Sequence, residues 1–141
     1  MVDKNIIDAR ISIILENVKR LREFVSKSED DFLSNVNNIA AAKYYLQISI
    51  GAMVDIGNHI IARERLGAPK NNFETFEILA QNGIIDIEHL DTYRRMVRFR
   101  NMVVHLYFAV DNRRVFEVIK NNLSDFDAFI GEMRSYLDKK G

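Results

Sequence analysis

At 141 residues the chain has the length of one domain, and a hydrophobic content of 48% is enough for a real core. Twenty basic residues balance twenty acidic ones, which argues against a protein that coats nucleic acid but leaves room for a local basic cleft. The absence of cysteine excludes disulfides, thiolate zinc sites and cysteine nucleophiles. The start, Met1-Val2-Asp3-Lys4-Asn5, lacks a signal-peptide pattern. Asp55, His59 and Arg63 interrupt the longest apolar run before it could span a bilayer. A cytoplasmic protein with no membrane partner is expected. With one proline and six glycines, few turns are signalled and long helices follow.

In chain order, Ile6, Ile7, Ile11, Ile14, Val18, Leu21 and Val25 recur at helical spacing and predict a first helix from about Lys4 to about Ser26. Ser28, followed by Glu29, Asp30 and Asp31, reads as an N-cap with acidic residues on the positive helix end, opening a short helix through Phe32 and Leu33. A long helix from about Asn38 to about Leu66 is apolar almost all round, the pattern of a buried central helix, and Gly67-Ala68-Pro69 ends it. Asn71 or Asn72 can cap a third helix, Phe73 to about Gln81, which Asn82-Gly83 stops. A fourth runs from about Asp86 to His105. Asp111-Asn112 then precedes one last helix to about Leu137, with Phe116, Ile119, Leu123, Phe126, Ile130, Met133 and Leu137 on one side. No strand pattern or internal repeat appears. The expected fold is all-α, a single antiparallel helical bundle over residues 1–141.

The stretch Arg94–Tyr107 carries the functional argument. On an ideal helix, at roughly 100° per residue, Arg94, Arg98, Asn101 and His105 form a polar arc with Asp91 and Arg95 at its edge. The opposite arc is apolar, and Arg100 falls in its middle. A buried guanidinium cannot shed its charge, so it must meet a carboxylate, a chain of hydrogen bonds or an incoming phosphate. The plain structural role is a paired interior arginine. For His105 it is a capping residue at a helix end.

Their combination points further. Asn101 and His105 stand four apart, so the asparagine can touch the imidazole and fix its tautomer. Arg100 and His105 stand five apart, about 140° round a straight helix. They share a site only if the helix loosens near His105 or a partner subunit completes the cleft. Arg94, Arg95 and Arg98 can bind flanking phosphates or form a solvated basic face. On the central helix, Gln47, Gly51, Asp55 and the Asn58/His59 pair form a polar seam. Asp55 or Gln47 can face Arg100 and hold it, or the seam can be purely structural. Asp55 and His59 could start a metal site, but a third ligand is not apparent. No metal and no cofactor are expected.

The pattern Arg100-Asn101-x-x-x-His105-x-Tyr107 resembles the signature of HEPN domains, and the tyrosine two residues after the histidine resembles the HepT branch. The resemblance extends over nearly the whole chain, through Gln47 and Asp55–Ile61, Phe76–Leu79 with Gly83–Ile85, and Asp111. One departure is Arg98, where a small residue is expected before the phenylalanine. The resemblance implies a helical homodimer with the arginine–histidine motifs near the interface, cleaving RNA without metal as the toxin of a toxin–antitoxin pair. It further implies a partner nucleotidyltransferase antitoxin that transfers AMP from ATP to the motif tyrosine, Tyr107. Arg100 and His105 would be catalytic, with Asn101, Asp55 and Gln47 supporting. The alternative is a non-catalytic helical dimer that regulates a nucleotidyltransferase. The intact Arg100, His105 and Tyr107 argue for the enzyme.

Overall fold

The computed structural model describes residues 1–140, which form seven α-helices and two short 3-10 turns, with no strand among them. The helices are α1 (Lys4–Phe24), α2 (Glu29–Leu33), α3 (Val36–Arg63), α4 (Asn72–Gln81), α5 (Leu90–His105), α6 (Asn112–Asn121) and α7 (Ser124–Lys140). The 3-10 turns, Ile87–His89 and Tyr107–Ala109, flank α5. Most starts are fixed by a short polar side chain that accepts a backbone N–H of the first turn: Asp3, Ser28, Asn35, Asn71 and Asp111. Two ends are closed by left-handed residues. Arg65 (φ +56°) follows α3 and lets Leu66 N–H donate to the Ile61 carbonyl, and Gly83 (φ +69°) follows α4 and lets Ile84 N–H donate to that of Leu79. The α3 helix therefore stops at Arg63, before the Gly67-Ala68-Pro69 signal, because Arg65 has already turned the chain.

Helix α3 is the centre. Its buried face takes Ile39, Leu46, Ile50, Met53, Ile56 and Ile60 into one continuous core with α1, α4 and α5. Gly57 makes the α4 contact close, since a Cβ there would lie 2.7 Å from Thr75 Cγ2. The same crossing carries a hydrogen bond from the buried Thr75 hydroxyl to Asn58 Oδ1 at 2.8 Å. The N-terminal end of α5 is pinned by Glu132 of α7, whose carboxylate accepts from the buried Tyr93 hydroxyl and the Asp86 N–H and lies 3.2 Å from His89 Nδ1. Burial, then the hydrogen bond to Glu132, holds the Tyr93 phenol far above its ordinary range, so it stays a donor.

The expected single last helix is two. Asn122 caps α6, and Leu123 lies between it and α7. All seven apolar residues of the predicted stripe are nevertheless buried. The break costs the stripe nothing because it is compact: Asp125 and Phe126 N–H donate to the Asn122 and Leu123 carbonyls, so the apolar spacing runs through it. The local cue is Asn121-Asn122, two residues whose side chains compete with the backbone inside a helix.

His59 gives a pH-dependent element. Its Nε2 accepts the Asp3 N–H at 2.9 Å and so ties the start of α1 to α3. Burial, then the Arg63 charge, lowers its pKa below the ordinary imidazole value. The unfolded chain takes up the proton near pH 6.5, and the folded chain only at lower pH. Stability is therefore full above that value and falls as pH drops through the window below it. Denaturant midpoints measured at pH 7.5 and pH 5 are expected to show a smaller loss for His59→Gln than for the wild type. An equal loss would assign the window to other groups.

Candidate active site

Helix α5 ends on its most informative residues. It runs regularly through Arg100 and Asn101 to His105, where Leu106 (φ −130°, ψ 45°) breaks it and its N–H closes the last turn on the Met102 carbonyl at 2.8 Å. His105 stands exposed at that end. The helix does not loosen before His105, so within one chain the angular offset from Arg100 persists. No hydrogen bond joins Asn101 to His105 among the described residues, although the spacing allows one. Asn101 is half-buried, and the imidazole projects from the exposed helix end.

Arg100 is half-buried at the wall of a groove of about 470 Å³ between α3 and α5, lined also by Gln47, Gly51, Asp55, Asn58 and Arg10. Gly51 borders open space in this groove, since a Cβ there would meet nothing within 4 Å. The polar seam of α3 and the misplaced arginine therefore share one cleft. The expected clamp does not form: among the described residues neither Asp55 nor Gln47 bonds Arg100. Asp55 instead lies 3.7 Å from Arg10 of α1, on the rim, with both side chains largely exposed. Arg100 Nε is buried with no partner at all. A desolvated, unpaired donor on a permanent cation is costly in a finished core and useful where an anion will arrive.

The flanking arginines divide. Arg94 is paired with Glu77 of α4 at 2.7 Å, and Arg95 with Asp91 one turn earlier at 2.8 Å. Arg98 is exposed and, among the described residues, lies within 4.0 Å of no carboxylate. His59 is committed to the Asp3 backbone, which takes it away from Asp55 as a metal ligand.

Beyond the helix end, Tyr107 opens a 3-10 turn and is 37% exposed. Its ring packs edge-on against Phe108, which is 96% exposed. Met102, Val104 and Leu106 are also exposed, so the end of α5 and the turn after it leave several apolar side chains uncovered. The sequence reading passed over one residue here. Lys43 of α3 is only 4% exposed; its Nζ donates to the Tyr107 carbonyl at 3.2 Å and lies 4.1 Å from the centre of the Tyr107 ring. Burial lowers its pKa below the ordinary lysine value. The cue was present: Lys43 sits at a core position between Ile39 and Leu46, the same anomaly that drew attention to Arg100.

An unpaired arginine in a helical cleft, with a histidine and a tyrosine at the end of the same helix, can be set beside known proteins. Residues 14–133 match the family described as Ribonuclease HepT-like. The tRNA nuclease HepT of Aphanizomenon flos-aquae is 29% identical over 96% of this chain and 92% of that protein. The mRNA nuclease HepT of Shewanella oneidensis is 31% identical over 93% of this chain and 98% of that one. Among solved structures, the tri-AMPylated Shewanella oneidensis HEPN toxin in complex with MNT antitoxin superposes with a TM-score of 0.87 and 29% identity, covering 94% of this chain and 99% of that chain. The chain belongs to the HepT-like ribonuclease family and is, by class, a ribonuclease.

Proposed function

We propose that this chain is the toxin of a toxin–antitoxin pair: a metal-independent endoribonuclease that acts as a homodimer in the cytoplasm and is silenced when a nucleotidyltransferase antitoxin transfers AMP to Tyr107. The observation that carries the catalytic reading is the buried, partnerless Arg100 Nε beside an open groove, on the helix that ends in exposed His105. RNA brings its own nucleophile. A neutral His105 takes the proton from a ribose 2′-hydroxyl, the 2′-oxygen attacks the adjacent phosphorus, and the 5′-oxygen leaves with a proton from an imidazolium. Arg100 stabilises the negative charge that builds on the phosphorus-bound oxygens. Arg98 holds a neighbouring phosphate, and Asn101, Gln47 and Asp55 shape the approach. Arg94 and Arg95 contribute only by giving up Glu77 and Asp91, so their share in RNA binding is smaller.

One chain has one motif histidine, and its imidazole does not enter the Arg100 groove. A two-fold dimer through the apolar end of α5 covers Leu106 and Phe108 and brings the Arg100 of each subunit to the His105 of the other, whose imidazole acts first as base and, once protonated, as acid. Light scattering at micromolar concentration is expected to give twice the 16.4 kDa chain mass. The protein is expected to cleave unstructured RNA equally well with and without EDTA. An active monomer would remove the two-subunit site. Strict dependence on added metal in a clean preparation would remove the mechanism.

A further inference from the structure

We propose that Lys43 is the cation reserved for the phosphate of an AMP group on Tyr107, positioning the tyrosine for transfer and then neutralising the phosphodiester that transfer creates. The inference rests on the reading of Tyr107 as acceptor and adds the residue that serves it.

Lys43 is the anomaly that RNA cleavage leaves unused. An ammonium has three donors, and the structure gives this one the Tyr107 carbonyl and the face of the Tyr107 ring. Among the described residues no carboxylate lies within 4.0 Å of it. Burying a charge without a counter-charge is expensive, and a neutral residue would fill this core position of α3 better if packing were its task. Both contacts are instead made to a single residue, the one that carries the modifiable phenol. Its hydroxyl is carried by the very ring the ammonium covers, within the swing of a four-carbon stem.

In the transfer, Tyr107 Oη attacks the α-phosphorus of ATP. The Oη–phosphorus bond forms, the bond from that phosphorus to the bridging oxygen breaks, and pyrophosphate leaves. The phenol proton passes to a base on the transferase or to water. The product carries a negative charge next to Tyr107 that was absent before. Lys43 lies against the same residue, held by the Tyr107 carbonyl, and the donors now over the ring face can turn to the phosphate oxygens in charge-assisted bonds. The modified turn is thereby tied to α3, and the adenylyl group is kept at the end of the active helix.

The test compares Lys43→Gln, which keeps a donor for the carbonyl and loses the charge, with Lys43→Arg, which keeps the charge. AMP addition by the cognate nucleotidyltransferase with ATP and magnesium is followed by intact mass, and thermal midpoints are taken before and after modification. Lys43→Gln is expected to slow addition by about tenfold or more, and Lys43→Arg to stay within about threefold of the wild type. Modification is expected to raise the midpoint of the wild type more than that of Lys43→Gln, a difference that a purely structural role would not produce. Should Lys43→Gln not fold, Lys43→Met carries the comparison with the same outcomes. Tyr107→Phe, run in parallel, separates the two claims. If it takes no AMP while Lys43→Gln is modified at the wild-type rate with the wild-type midpoint shift, the Lys43 assignment is overturned and the acceptor stands. If Tyr107→Phe accepts AMP as the wild type does, the acceptor reading itself is wrong.

Discussion

Arg100→Ala is expected to reduce RNA cleavage by about a hundred- to a thousand-fold without lowering stability. On the proposed mechanism the activity loss follows from removing the cation that meets the phosphorane, with the magnitude typical of a preorganised donor at a developing oxyanion. The stability side has its own sign. Truncation loses the packing of the arginine stem, but it also removes a buried Nε that has no hydrogen-bond partner, and such an unsatisfied donor costs about 1–3 kcal/mol. The thermal midpoint is therefore expected to match or exceed the wild type. His105→Ala should reduce cleavage by about a hundred- to ten-thousand-fold, the range for losing a positioned general acid or base, and being exposed it should leave the fold untouched. Both variants are read by cleavage of a fluorescent unstructured RNA and by circular dichroism. Full cleavage by His105→Ala would remove the histidine from the mechanism.

The second large effect is on control. Tyr107→Phe is expected to stay toxic in cells that also make the cognate nucleotidyltransferase, and to show no added AMP by intact mass. A protonated phenol is a poor nucleophile, so the transfer needs an enzyme and metal-bound ATP, and a ring without the hydroxyl offers no oxygen to attack. In the single chain Tyr107 is 37% exposed on a short turn directly after α5. On the proposed reading, a phosphate attached there would meet Lys43, whose Nζ lies 4.1 Å from the centre of the Tyr107 ring, and the adenosine would obstruct the approach to His105. If Tyr107→Phe is neutralised as fully as the wild type, or the added mass maps to another residue, the switch lies elsewhere.

Much of this was legible in the residues. Period-3.6 spacing placed the helices because each buries one stripe, and α3, apolar almost all round, read as the central one. Arg100 stood out because a fixed charge on an apolar arc breaks the local rule, and its partnerless Nε shows that the anomaly is real. What could not be read depended on which elements abut. The sequence offers Asp55 or Gln47 as a residue that can face Arg100, and the structure puts all three on one groove, but spacing cannot foresee Arg10 of α1 beside the Asp55 carboxylate, or Glu77 of α4 on Arg94. The Asn101–His105 bond failed for a different reason. Spacing of four licenses contact, but His105 is the last helical residue and projects into solvent. Lys43 could have been found by the argument used for Arg100, since it occupies a core position between Ile39 and Leu46. The break at Asn122 was masked because it preserves the stripe it interrupts.

The most direct test of the account is complementation between two inactive proteins. Arg100→Ala and His105→Ala, each carrying a different affinity tag, are unfolded and refolded together, and the mixed dimer is isolated by sequential purification. In a site composed of both subunits, the mixed dimer retains one arginine and one histidine able to face each other. It is expected to cleave RNA at least about tenfold faster than either parent, on the scale set by restoring one preorganised donor. A mixed dimer of verified composition that is as inactive as its parents would contradict the two-subunit site.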